Sequence, residues 1–340
     1  MKKNSTYAWL FFFLSFFSMV FCTQVQAASN SFSVSPLDPE TNHPQSSYFD
    51  LTVSPKETRE LHIRIYNSAD KDIQVKIEAN NGSTNDNGIT SYLNEDEVDP
   101  TLKIPFQSLA TIKDKVVTVP KQGTYDATIQ LMIPETSFEG VILGGIRLSS
   151  VEKEEDLQTE TSAVAANIAY TIGVVLSESD EVIEPQMNLL GIKTEQRNGR
   201  NYISANLQNA APRIIQELEV KATVYPQGES DILYEASSTN LRMAPNSNFH
   251  YGVSLEDQAF QPGTYTMMLQ GTADGKNFSF KKNFSISSKE AKEWNKNAVY
   301  VKDKEQPAIW LLIGLTTFVL LGLVFLAFFI RNRKKRILND

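Results

Sequence analysis

Apolar and polar residues alternate with a period of two along much of the chain, as in strands with one buried and one wet face. In "KQGTYDATIQL", from Lys121, the residues Tyr125, Ala127, Ile129 and Leu131 share one face, while Thr124, Asp126, Thr128 and Gln130 share the other. A near copy, "QPGTYTMMLQG", begins at Gln261 and places Tyr265, Met267 and Leu269 inward. Upstream of the first copy, Leu61, Ile63 and Ile65 lead to a turn at Asn67, and Ile73, Val75 and Ile77 return. Upstream of the second, Ile203, Ala205 and Leu207 lead to Asn209, and Leu218, Val220, Ala222 and Val224 return. Asn67 precedes Gly123 by 56 residues, and Asn209 precedes Gly263 by 54. Two independent features at matched spacing predict a tandem repeat, in which each unit pairs a hairpin of half-buried strands with a late Gly-x-Tyr strand.

Gly-x-Tyr opening an alternating strand resembles the corner of immunoglobulin-like sandwiches, where a buried tyrosine hydroxyl bonds to upstream backbone. Turn signals recur at Ser54-Pro55, Asn81-Gly82, Asn87-Gly88, Asn198-Gly199 and Asp274-Gly275, with few competing helical patterns before Ser287. The expected fold is all-β: two tandem immunoglobulin-like β-sandwich domains at 28–155 and 160–288, a short helical stalk and a single C-terminal transmembrane helix. The charged loop "EKEEDLQTET", from Glu152, marks the junction. The apolar strand 167–176 is open between completing the first sandwich and beginning the second. "SSKEAKEWNKNAV" carries a capping-box spacing from Ser287 to Glu290 and predicts the stalk, 289–306.

The two ends have their own pattern. Lys2 and Lys3, an apolar run from Ala8 to Phe21 and "VQA" at Val25 to Ala27 read as a secretory signal, 1–27. Cys22, the only cysteine, follows Phe21, where lipid attachment wants a small residue. From Ala308 to Ile330 the chain is uncharged, long enough as a helix to cover roughly 34 Å. "RNRKKR" follows from Arg331. This pattern predicts a plasma-membrane protein with a single pass, extracellular N-terminal domains and a cytoplasmic tail at 331–340.

Composition narrows the class. Residues 28–307 hold 25 basic and 39 acidic residues, a net charge of −14, and no cysteine. The missing disulfides fit a Gram-positive surface rather than a eukaryotic secreted domain. The charge disfavours nucleic acid and anionic wall polymers as bulk ligands. No cofactor or metal is expected: His43, His62 and His250 are scattered, without metal spacing, and no nucleophile or phosphate-loop motif is present. Carboxylate runs such as "NEDEVDP" from Asn94 read as solvated loops. Ser83, Asn85, Asn87 and Gly88 fit four calcium-loop positions, but Asn94 stands where a bidentate glutamate belongs, so an ordinary turn is the better reading. Gly144-Gly145 interrupts an apolar strand. The pair predicts either a close backbone approach, making Gly144 and Gly145 candidate partner contacts, or packing against another layer.

"FSVSPLDPETNHPQSSYFDLTVSP", "PETSFEGVILGGI", "NIAYTIGVVL" and "QPGTYTMMLQGTADGKNFSF", in that order before an apolar run and basic tail, resemble the WxL-interacting proteins of Gram-positive bacteria. The resemblance covers essentially the whole mature chain. It implies an N-terminal peptidoglycan-binding domain, a second domain that binds host factors, and a WxL-domain surface protein as partner. It carries no functional residue across, because the matched stretches are strand and turn signatures. The expected function is a non-enzymatic, membrane-anchored adaptor that binds WxL proteins and peptidoglycan, with host matrix protein as a further ligand. The alternatives are a tethered assembly chaperone and, less favoured, a wall hydrolase.

Overall fold

The computed structural model describes residues 32–38, 41–45, 48–93, 97–151, 168–301 and 317–321. The expected signal 1–27, the loop 152–161 and the tail 331–340 lie outside the described residues.

By packing, the chain forms two units. The first comprises residues 1–188 with the segments 208–216 and 242–248, and the second comprises 189–207, 217–241 and 249–340.

In the first unit, β1 (Phe32–Leu37), β3 (Thr58–Asn67), β9 (Thr124–Met132) and β7 (Ala110–Ile112) form one sheet in the order β1-β3-β9-β7. The other sheet runs β2-β11-β10-β4-β8, built from β2 (Tyr48–Thr52), β11 (Ala169–Ser177), β10 (Val141–Val151), β4 (Ile73–Asn81) and β8 (Val116–Val119). The inward residues read from the sequence are buried: Leu61, Ile63 and Ile65 on β3, Ala127, Ile129 and Leu131 on β9, and Ile73, Val75 and Ile77 on β4. Both sheets feed one core, the sandwich arrangement that amphipathic sheets require. The strand left open by the sequence belongs to this unit. Here β11 pairs antiparallel with β10 and parallel with β2, and Ile172, Val174 and Leu176 enter the core.

Between β4 and β7 the chain makes an excursion over residues 82–109. It holds a small hairpin of β5 (Ser83–Thr84) and β6 (Thr90–Ser91), and a helical turn at Phe106–Leu109. The candidate calcium residues form that hairpin's turn: Asn85 Oδ1 accepts from the Asn87 and Ile89 amides, and Gly88 adopts φ 67°.

In the second unit the sheets are β12-β13-β16 and β15-β14-β17-β18. Their strands are β12 (Met187–Arg197), β13 (Arg200–Asn209), β14 (Ile215–Pro226), β15 (Tyr234–Met243), β16 (Ser247–Ser254), β17 (Gly263–Ala273) and β18 (Lys276–Ile286). Ile203 and Ala205 on β13, Leu218, Val220, Ala222 and Val224 on β14, and Tyr265, Met267 and Leu269 on β17 are buried, again as the period of two requires. The Tyr265 hydroxyl donates to the Gln261 carbonyl at 2.8 Å, so this tyrosine is a corner residue.

The expected stalk helix forms at Ser288–Asn297, with both capping-box bonds between Ser287 and Glu290. It lies against the second unit. Thr194 Oγ1 donates to Glu290, Gln196 Nε2 donates to the Trp294 carbonyl at 2.6 Å, and Asn295 exchanges hydrogen bonds with the backbone of Phe260 at 2.8 and 3.0 Å.

The membrane anchor requires correction. Among the described residues no helix is long and apolar enough to cross a membrane. Within the expected span 308–330 the structure describes only 317–321, helical and exposed, and the rest lies outside the described residues. An uncharged run is a statement about composition, whereas a span needs a continuous helix. The transmembrane helix, the single-pass plasma-membrane topology with its sided tail, and the membrane as an integral partner are therefore withdrawn. The fold class is mostly β, with paired curled sheets.

A candidate binding surface on the first unit

Successive residues of a strand face opposite sides of its sheet. Gly144 and Gly145 on β10 use this alternation for two purposes. A Cβ at Gly144 would stand 2.0 Å from Phe106 Cγ and Cδ1, so this glycine makes room for a fully buried ring of the core. A Cβ at Gly145 would stand 2.7 and 2.8 Å from Tyr92 Cδ1 and Cγ, on the outer face. The aromatic rings that approach the two glycines, Phe106 and Tyr92, come from this chain's own 82–109 excursion, and Thr171 on β11 also flanks Gly145.

Register extends the outer-face position into a row across four strands. Gly145 stands opposite Asn80 on β4 and opposite Gly173 on β11, and Gly173 stands opposite Tyr48 on β2. The Cβ that Gly173 lacks would be 3.2 Å from Tyr92 Oη and 3.6 Å from Tyr48 Cβ. One end of the Tyr92 ring thus rests on each glycine, and the ring lies along the sheet across β10 and β11. Asn80 fixes it there, donating from Nδ2 to the Tyr92 carbonyl at 2.8 Å. Burial pushes the Tyr92 hydroxyl above its ordinary value, so it is a neutral phenol at physiological pH. Tyr48 is 46% exposed beside it.

The same excursion carries Asp99, which the sequence reading assigns to a solvated acidic run. It is 7% exposed. Its carboxylate accepts from Thr101 at 2.6 Å, from Gln208 Nε2 at 2.9 and 3.0 Å and from Asn248 Nδ2 at 2.6 Å. Burial pushes this carboxyl up, but the hydrogen bonds from Thr101, Gln208 and Asn248 outweigh it and hold the group below its ordinary value.

The second unit has its own half-buried carboxylate. Glu195 accepts from Ser204 at 2.6 Å and from Arg197 at 2.5 and 2.8 Å, and pairs with Lys193 at 3.0 Å. Burial raises its pKa, but those partners reverse the shift and hold it below the ordinary range. Arg197 also donates to the His250 carbonyl, and its guanidinium lies 5.4 Å from the Tyr202 ring centre. Through these bonds the cluster fixes β12 to β13 and β16. His62 is half-buried and 3.2 Å from Thr128 Oγ1, and His43 is exposed in its loop. Among the described residues no group of three or more His, Cys, Asp or Glu side chains is placed to hold a metal ion.

No curated protein sequence matches the chain. Among solved structures, the CupB2 chaperone of Pseudomonas aeruginosa is 9% identical over 72% of this chain and 99% of its own, with a TM-score of 0.29. The E. coli chaperone DraB is 11% identical over 75% and 98%, with a TM-score of 0.29. A PapD-like domain of human CEP192 is 8% identical over 47% and 93%, with a TM-score of 0.28. Likenesses this slight carry no argument about function. Two family models do. Residues 32–150 match the peptidoglycan binding domain of the WxL Interacting Protein family, and residues 159–296 match its host binding domain. The second match begins ahead of β11, although that strand pairs within the first unit. With both of its domains present in sequence order, the chain belongs to the WxL-interacting proteins, a non-catalytic family.

Proposed function

We propose that the protein is a non-enzymatic adaptor of the cell surface that holds peptidoglycan through residues 32–150 while keeping a WxL-domain protein beside it. Contact with a host matrix protein through residues 159–296 completes the reading. The observation that carries it is the presence of both domains on one chain. The negative charge of residues 28–307 supports peptidoglycan over the anionic wall polymers, because a neutral glycan bearing mixed-charge stem peptides is not repelled. The test is sedimentation of the purified chain with wall sacculi stripped of secondary polymers, with and without a WxL-domain protein. The adaptor should carry the WxL protein into the pellet and release no soluble wall fragments. A chain that stays in the supernatant, or one that liberates fragments, overturns the reading.

A further inference from the structure

We infer that Tyr48 and Tyr92 form a saccharide platform on the outer face of β2, β11 and β10, and that the platform takes the N-acetylated glycan strand of peptidoglycan rather than its stem peptides. This rests on the peptidoglycan-binding reading of residues 32–150. Three observations converge. The first is the ring geometry. Tyr92 spans two glycines, with Thr171 Cγ2 also close at the Gly145 position, so the ring is seated on the sheet and its half-buried remainder faces away. Tyr48 follows within 4 Å of the same point and is exposed. Adjacent tyrosines presenting flat apolar area with a polar tip suit a sugar, which offers a C–H face and a rim of hydroxyls.

The second observation is an unmet acceptor. Asn80 is 2% exposed, donates its amide to the Tyr92 carbonyl, and leaves Oδ1 buried without a hydrogen-bond partner. Buried acceptors of this kind are rare and costly. The atom is enclosed, so a donor reaches it only if the Tyr92 segment above it shifts on binding, and the acetamido N–H of an N-acetyl sugar is such a donor. The third is charge. A surface within a strongly acidic region selects against polyanionic wall polymers and leaves the neutral glycan among the compatible wall components. The glycine pair flagged in the sequence thereby acquires distinct roles: Gly144 serves the core, and Gly145 is a positioning residue that lets Tyr92 lie flat.

The experiment uses the full chain, stripped sacculi and two soluble competitors, a β-1,4-linked N-acetylglucosamine tetramer and a free stem peptide. Tyr48→Ala and Tyr92→Ala are each expected to weaken binding to sacculi about tenfold, the loss typical of truncating an aromatic anchor. The tetramer should compete and the stem peptide should not. Gly145→Ala should weaken glycan binding by tilting Tyr92. Tyr48 sits exposed on an edge strand, so its variant keeps the fold, and unchanged capture of the WxL-domain protein verifies this. Wild-type binding by both tyrosine variants, or competition by the stem peptide alone, overturns the platform and leaves the adaptor reading intact. Failure of the unmodified chain to bind sacculi overturns both.

Discussion

Asn67 should be among the most costly polar side chains to remove from the first unit. It is 4% exposed at the end of β3, and its amide does four things at once. Nδ2 donates to the carbonyls of Lys71 at 2.9 Å, Val119 at 3.1 Å and Pro120 at 2.9 Å, and Oδ1 accepts from the Ala69 amide at 2.9 Å. The side chain thus closes its own hairpin and ties it to the end of β8. Asn67→Ala leaves the buried Val119 bond unmade, at about 1–3 kcal/mol, while the three partly buried groups turn to water at roughly 0.5 kcal/mol each. The sum is about 2–5 kcal/mol, a large share of a typical domain's 5–15 kcal/mol. Asn67→Asp is nearly isosteric and keeps the Ala69 bond. It nevertheless aims a carboxylate at three carbonyl oxygens, so it should cost at least as much at neutral pH and recover partly in acid. Native-state hydrogen exchange on Ile63 and Ile65 is the assay. Protection should fall roughly 30- to 5,000-fold in the alanine variant. A loss under about threefold, or an aspartate variant as stable as the parent, would refute the argument that these bonds, rather than packing, hold the turn.

Three further outcomes are expected. Tyr265→Phe, which deletes the bond to the Gln261 carbonyl, should destabilise the second unit by about 0.5–1.5 kcal/mol in a urea titration, with exchange in β3 unchanged. Gly144→Val should cost about 1–3 kcal/mol or more through collision with Phe106, and adding Phe106→Ala should return part of that loss, which a double-mutant cycle would measure. Because the folded-state pKa of Asp99 is depressed, its stabilisation is present above the unfolded value of about 4 and is lost as pH falls through the lower folded value. An acid titration of melting temperature should show that loss, and Asp99→Asn should remove this pH-dependent component.

What the sequence made legible follows from the range of each signal. Strand facing depends on neighbours two residues apart, and the inward residues assigned to β3, β4, β9, β13, β14 and β17 are buried, except Tyr125 on β9, which is half-buried. The repeat was legible through Asn67 and Asn209, though only as turn openers. The structure shows both side chains donating to the carbonyl four residues on and to the end of another strand, and accepting from the amide two residues on. The row Asn80, Gly145, Gly173 and Tyr48 was not legible, because it is set by the register of four strands far apart in sequence. Nothing local marks Tyr92 as the ring that lies on it. Asp99 was hidden by its acidic neighbours, which suggest solvent while its own carboxylate is enclosed by Gln208 and Asn248. The apolar run at 308–330 misled in the other direction, since hydropathy reports composition and, among the described residues, no helix is long and apolar enough to cross a membrane.

The docked helix at Ser288–Asn297 has a mechanical consequence. Tension applied to the chain beyond residue 301 does not arrive at β18 directly. It first meets the Val299 amide bonded to the Gly199 carbonyl, then Asn295 on the Phe260 backbone, Trp294 on Gln196 and Glu290 on Thr194. These contacts sit at successive points along the helix and open one after another from its C-terminal end. The helix is therefore built as a peelable clamp: under load it should come away before the strands of the sandwich behind it.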